Sequence, residues 1–240
     1  MLDILYIDEA IVAINKPTGL LVHRSPIDKY ETRFAIQLTR DQIGQRVYPV
    51  HRLDKPTSGV LLFALSSEVA ALLTKQFTAK TVHKRYQAIV RGYTQDSGVV
   101  DYALQEQLDK MTDSMADPDK GAQIAITHYR RLATTELPYP LGRYDSVRYS
   151  WVSLEPKTGR KHQLRRHMKH IFHPIVGDTT HGDGKHNQFL RKQFDLPRLM
   201  LHASELSLQH PRTAQALTIE APLPDDFTHL LRQLKLCSET

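Results

Sequence analysis

The chain has 240 residues, of which 40% are hydrophobic and 24% charged, and it carries a formal charge of +6. That length can bury a self-sufficient core, and that balance excludes a disordered or fibrous class while favouring an anionic partner such as nucleic acid. A single cysteine, Cys237, excludes an intrachain disulfide and fits a reducing compartment.

The N-terminal stretch Met1-Leu2-Asp3-Ile4-Leu5 carries an acid where a signal peptide would carry base. No apolar run approaches membrane-spanning length, so the sequence predicts a soluble cytoplasmic protein. The apolar runs Ile4 to Ile7 and Ile11 to Ile14, separated by Asp8-Glu9-Ala10, predict a hairpin. Asn15-Lys16-Pro17-Thr18-Gly19 follows as a turn by its Pro and Gly. Residues 31 to 44 predict a helix with Phe34, Leu38 and Ile43 inward.

Residues 51 to 59 read His51-Arg52-Leu53-Asp54-Lys55-Pro56-Thr57-Ser58-Gly59. Pro56 has a fixed φ and Gly59 permits a positive one, so the stretch describes a stiff turn. It holds Asp54 at the end of an apolar approach from Val47 to Leu53, and the apolar strand Val60 to Leu65 follows at once. On spacing alone, Asp54 is either a turn cap or a reactive carboxylate in a basic setting. Ser67 is predicted to cap a helix with Val69, Leu72, Leu73 and Phe77 on one face. Val82, Lys84, Tyr86, Ala88 and Val90 alternate with the intervening residues, which predicts a strand with Tyr86 near its middle.

Residues 105 to 123 are polar and aperiodic and read as a mobile surface loop. Ile124 to Leu132 predicts a strand, Pro138 to Asp145 a second excursion, and Val147 to Leu154 a returning strand. The turn Glu155 to Arg160 leads into a basic helix from Lys161 to Ile171, with Leu164, Met168 and Ile171 on its apolar face. Strands at Leu199 to Ala203 and Ala216 to Ile219 flank a turn at Pro211. Asp225 or Asp226 is predicted to cap a last helix with Phe227, Leu230, Leu231 and Leu234 inward. No repeat or linker divides the chain, and strands and helices do not alternate regularly. The prediction is one α+β domain over 1–240, built on a largely antiparallel mixed sheet flanked by helices and loops.

Three other features invite chemistry. His162, His167, His170 and His173 crowd one segment, and their spacing admits a zinc site. Yet no cysteine is near, H-E-x-x-H is absent and no carboxylate lies between them, so no metal is predicted. Gly182-Asp183-Gly184-Lys185 lacks the spacing of a phosphate loop. The basic run Arg160, Lys161, His162, Arg165, Arg166, His167, Lys169 is either a solvated helix face or a nucleic-acid surface.

The nonapeptide at 51 to 59 resembles the H-R-L-D motif of the RluA-type pseudouridine synthases. The resemblance continues through Asn15-Lys16-Pro17-Thr18-Gly19 and through Leu154, Pro156, Thr158, Gly159, Arg160, His162, Gln163, Leu164, Arg165 and His167. It also takes in His173-Pro174-Ile175-Val176-Gly177-Asp178 and Arg198 to Ala203. Five motifs thus follow in order from Asn15 to Ala203. What the resemblance implies is an enzyme in which Asp54 starts catalysis, Tyr86 stacks on the target uracil and Arg165 partners Asp54. Leu164 would pack beside the base and Arg52 would occupy space near the flipped nucleotide. Arg160, His162 and Arg166 would bind RNA.

The chemistry agrees with those roles. Making pseudouridine breaks the N1 glycosidic bond, turns the base and joins C5 to C1′. A carboxylate can serve as nucleophile or base when ionised, and a neighbouring guanidinium favours that form. A base in a duplex must be extruded, and stacking on an aromatic ring offsets part of that cost. No step requires a metal, redox cofactor or nucleotide. Pro56 and Arg166 depart from the commoner family pattern, and no separate N-terminal RNA-binding domain is expected ahead of Met1-Leu2-Asp3. Those features resemble the subgroup that modifies uridine 65 in the acceptor stem of tRNA, so the expected partner is tRNA, with no membrane and no protein partner, and the chain a monomer. The competing readings are an RluA-type synthase acting on another tRNA or rRNA uridine, a catalytically silent RNA-binding module, and a metal-dependent hydrolase built on the histidines.

Overall fold

A computed structural model of the chain describes residues 1–24, 30–105 and 121–237. Most of the loop expected at 105 to 123 lies outside the described residues, apart from its ends. There Leu104 and Gln123 pair through backbone hydrogen bonds of 2.9 and 3.0 Å. Among the described residues, no helix is long and apolar enough to cross a membrane.

The fold is α+β, and its strands pair almost wholly antiparallel, as expected. It divides into two compact units that interleave in sequence: Met1–Lys84, Ala103–Gln123 and Ala203–Ala221 form the first, and Arg85–Tyr102, Ile124–His202 and Pro222–Thr240 the second. In the first unit, β1 (Asp3–Ile7) and β2 (Ile11–Lys16) form the predicted hairpin, and β2 pairs on its other side with β4 (Ser58–Ala64). The short β3 (Tyr48–Pro49) pairs with β4 near its end, and β10 (Ala216–Glu220) pairs with β9 (Leu201–Gln209). All four pairings are antiparallel. Every residue of β4 is buried, which accounts for its unbroken apolar run.

Two helices belong to this unit. Helix α1 (Ala35–Ile43) ends on Gly44 in the left-handed region, the ordinary place for a glycine after a helix. Phe34, its N-cap, is buried, whereas Leu38 and Ile43 are half-buried. Helix α2 (Ser67–Thr78) is capped by Ser66, whose hydroxyl accepts from the Val69 amide. The predicted cap was one residue later; with two serines in tandem, the one whose backbone is still extended takes the role. Val69 and Leu73 are buried and Phe77 is half-buried, but Leu72 is exposed. The core here joins Ile11, Ala13, Leu62, Ala64, Val69, Leu73, Leu206 and Ile219.

In the second unit, β5 (His83–Arg91), β8 (Val147–Pro156), β7 (Ile126–Leu137) and β6 (Ser97–Asp101) pair antiparallel in that order. The alternation predicted for β5 holds only in its first half, because Ala88, Ile89 and Val90 are all buried. Helix α3 (Gln163–His170) is the predicted basic helix, shorter by two residues at its start. Helix α4 (Gly184–Phe194) and strand β6 had no counterpart in the sequence reading. Asp183, taken there for part of a poor phosphate-loop match, caps α4 by accepting from the Lys185 and His186 amides. Helix α5 (Asp225–Gln233) buries Phe227, Leu230 and Leu231, and Leu234 just beyond it, as predicted. Its N-cap is Pro224, with no side-chain capping bond; Asp226 is drawn instead to Arg198 by a bidentate pair at 2.6 and 2.8 Å.

Candidate active site

The turn that carries Asp54 is built by bonds from both sides. The Thr57 amide donates to the Asp54 carbonyl at 3.0 Å and closes it. Leu53, Thr57 and Ser58 are buried, while Asp54 itself is half-buried. The turn Asn15 to Gly19 then lies against it. The Gly19 amide donates to the Lys55 carbonyl at 2.9 Å, and the Thr18 hydroxyl to the Pro56 carbonyl at 2.9 Å. Lys16 is fully buried, and its ammonium donates to the carbonyls of Pro17 and Leu20 at 2.8 Å and of Lys55 at 3.2 Å. One buried cation thus ties two turns together at the residue after Asp54. Sequence alone marks Asn15 to Gly19 as a turn and a point of family resemblance but gives Lys16 no role.

His51 opens the same segment. Its Nε2 accepts from the Leu62 amide at 2.9 Å, which places the ring proton on Nδ1, and the ring stacks on Phe77 with centroids 5.0 Å apart. Burial, with the Lys84 charge in second place, pushes the imidazole down to about 3, so the ring is neutral and the bond to Leu62 persists. Gly59 opens β4 with φ +112, and a Cβ there would stand 2.1 Å from the Ala203 carbonyl oxygen. Only glycine lets the β9 backbone pass so close. Lys55 pairs with Glu31 at 3.2 Å, and Arg52 is exposed.

The remaining predicted residues belong to the second unit. Tyr86 stands on β5 opposite Leu154 of β8. Its half-buried ring packs against an apolar cluster that includes Ala88, Val152, Leu154, Leu164, Met168 and Leu199. Leu164 is therefore brought into the same cluster as Tyr86, and only 6% of its surface is exposed.

The turn that launches α3 is organised by Gln163. Its side-chain oxygen accepts from the Thr158 hydroxyl at 2.7 Å and the Arg160 amide at 3.0 Å, while its nitrogen donates to the Ile126 carbonyl and to Thr127. Arg160 is exposed and donates to the Ile124 carbonyl at 3.2 Å. His162 caps the helix in the left-handed region, φ +53, with its Nδ1 3.0 Å from Nε2 of His181. Arg166 is half-buried.

Arg165 is 4% exposed and meets Asp178 in a bidentate pair, Nε to Oδ2 at 2.6 Å and Nη2 to Oδ1 at 2.7 Å. Oδ1 of Asp178 also accepts from the amides of Thr180 and His181, both at 2.9 Å. Burial alone would raise the Asp178 pKa, but Arg165 and these amides outweigh it and hold the carboxyl below its ordinary value. The sequence reading quoted Asp178 only as the last residue of a family block and gave it no function.

The clustered histidines go to separate partners rather than to a shared centre. His167 reaches Thr127 through Nδ1 at 2.9 Å and the Tyr102 carbonyl through Nε2 at 3.0 Å. His170 stacks on Tyr102 with centroids 3.6 Å apart, and His173 bonds the Arg91 carbonyl at 2.9 Å. Asp54 and Arg52 thus lie on a braced turn of the first unit. Tyr86, Leu164 and Arg165, with Arg160, His162 and Arg166, gather around β5 and the start of α3 in the second. The two settings supply a rigidly presented carboxylate, an aromatic ring backed by an apolar cluster, and a buried guanidinium.

Comparison with known proteins identifies the family. The family model described as RNA pseudouridylate synthase matches residues 10–170. A protein of Vibrio vulnificus named tRNA pseudouridine synthase C is 55% identical over 235 residues, covering 98% of this chain and 96% of that one. One of the same name from Pectobacterium carotovorum is 59% identical over 221 residues, covering 92% of this chain but 59% of the longer relative. Among solved structures, Human RNA Pseudouridylate Synthase Domain Containing 4 superposes with a TM-score of 0.74 at 28% identity, over 99% of this chain and 95% of that one. The chain belongs to the RNA pseudouridylate synthase family and is an isomerase of that kind.

Proposed function

We propose that this synthase acts on tRNA in the cytoplasm, isomerising uridine 65 of the acceptor stem by chemistry that begins at Asp54. The observation that carries the tRNA assignment is the near full-length identity, 55% over 98% of the chain, to a relative named for tRNA. The choice of uridine rests on Pro56 and Arg166, the positions at which the sequence resembles the acceptor-stem subgroup.

In this reading the whole chain works as one catalytic domain and as a monomer. The target nucleotide leaves the helix at a cost of a few kcal/mol, and stacking of the extruded uracil on Tyr86 returns roughly 1–3 kcal/mol. Leu164 borders the base, Arg52 fills space near the extruded nucleotide, and Arg160, His162 and Arg166 contact the RNA. Asp54 then acts as nucleophile at C1′ or as base, the N1–C1′ bond breaks, the uracil turns, C5 joins C1′, and C5 gives up its proton while N1 gains one, so substrate and product are isomers. Arg165 is the cationic partner of Asp54 in this reading.

The test is incubation with unmodified tRNA, followed by chemical derivatisation and mapping of pseudouridine, since the product has the mass of the substrate. One new pseudouridine at position 65 is the expected result. Conversion of a different tRNA or ribosomal uridine would replace the substrate assignment, and no conversion of any RNA would overturn the proposal.

A further inference from the structure

The Arg165–Asp178 pair has a construction that its burial alone does not require. A buried guanidinium needs a counter-charge, but one carboxylate oxygen would supply it. Asp178 instead takes the whole Nε–Nη2 edge in two near-parallel bonds, which fixes the plane of the guanidinium as well as its position.

Asp178 is itself clamped. Its Oδ1 accepts two further amides, from Thr180 and His181. Its carbonyl accepts from Nδ2 of Asn187 on α4 at 2.8 Å, and Oδ1 of the same asparagine accepts from the Gly177 amide at 2.8 Å. The loop around it is drawn tight at two glycines. A Cβ on Gly177 would stand 1.9 Å from the Arg198 carbonyl oxygen, and one on Gly182 would stand 2.1 Å from that of Asp178. Helix α4, through Asn187, therefore helps to hold this carboxylate against α3.

We propose that Asp178 is the positioning residue for Arg165, holding the guanidinium in one orientation before RNA binds, with Asn187 holding Asp178 in turn. A guanidinium has five N–H groups, and Asp178 commits two; the orientation of the other three follows from that edge. The inference rests on the catalytic part assigned to Arg165 above, and it predicts that Asp178 matters only while Arg165 is present.

The experiment is a double-mutant cycle on full-length protein, with turnover of unmodified tRNA as readout. Asp178→Asn keeps the shape but loses the charge, and with its oxygen held by the Thr180 and His181 amides it sets a donor against Nε of Arg165. It should lower kcat ten- to a hundredfold with KM for tRNA within twofold. In an Arg165→Met background the same substitution should change kcat less than twofold. Equal losses in both backgrounds would make Asp178 a general structural residue and overturn the proposal, as would an unchanged kcat for Asp178→Asn beside an impaired Arg165→Met. If both single variants turn over as wild type does, the role given to Arg165 falls together with that of Asp178. Should Asp178→Asn not yield folded protein, Asn187→Ala keeps both charges and loosens only the clamp. A kcat at least threefold lower at unchanged KM supports the proposal, and an unchanged kcat overturns it.

Discussion

Replacing Lys16 by Met tests whether the turn bearing Asp54 is held from outside itself. Met nearly preserves the volume of the side chain but removes the ammonium that the carbonyls of Pro17, Leu20 and Lys55 share. Lys55 keeps the Gly19 amide as a donor, so Pro17 and Leu20 bear most of the loss. A carbonyl left without its donor costs about 1–3 kcal/mol where water cannot replace it, but Pro17 is exposed and Leu20 half-buried, and removing the burial cost of the charge offsets part of the total. The expected destabilisation is therefore about 1–3 kcal/mol, read from urea denaturation with an unchanged m-value. Release of the Lys55 carbonyl also loosens the residue after Asp54, so kcat on tRNA should fall about tenfold while KM stays within twofold. A loss under about 1 kcal/mol with an unaltered kcat would refute the argument that this lysine braces the turn.

Two further predictions concern the same framework. Gly59→Ala should destabilise by more than about 3 kcal/mol, or prevent folding, because its Cβ would stand 2.1 Å from the Ala203 carbonyl oxygen at a φ of +112; a melting temperature within a few degrees of wild type would contradict it. The second concerns acid. His181 is buried, and burial is the first cause of a pKa pushed from 6.5 down to about 4. The unfolded chain takes up that proton first, so stability is lost as pH falls from about 6.5 to about 4, by up to ~1.4 kcal/mol per pH unit, and the loss levels off below. In His181→Gln the slope of unfolding free energy against pH over that window should shrink by about 1 kcal/mol per unit; an unchanged slope would mean that this histidine does not contribute.

The parts of the fold that were legible in the sequence are those in which neighbours along the chain decide the outcome. The β1–β2 hairpin follows from two apolar runs around a turn, and α2 and α5 from apolar residues at helical spacing. Where two local signals competed, the reading slipped by a residue, as with Ser66 and Ser67. Helix α4 was missed because its sequence opens on Gly184 and buries only Asn187 and Leu190, too little apolar surface for a periodic signal. Strand β6 has five residues, two of them Ser97 and Gly98, and owes its form to pairing with β7.

The site divides the same way. Asp54, Tyr86 and Arg165 stood out through motif resemblance, and the stiffness of the Asp54 turn was visible in Pro56 and Gly59. What braces them was not. Lys16 reads as one more surface lysine until a carbonyl 39 residues further along the chain is brought to it. Asp178 needed α3, α4 and its own loop folded together before it could be recognised as the counter-ion of Arg165. Long-range polar bonds of this kind leave no periodicity behind, and their residue types are those of any solvated surface.

The central claim is that Asp54 begins the isomerisation of a tRNA uridine. It is tested most directly by Asp54→Asn, with pseudouridine mapped on unmodified tRNA and binding measured in parallel. The account predicts no detectable conversion at position 65, with tRNA affinity within about threefold of wild type, roughly 0.7 kcal/mol. Turnover retained by the variant would contradict it.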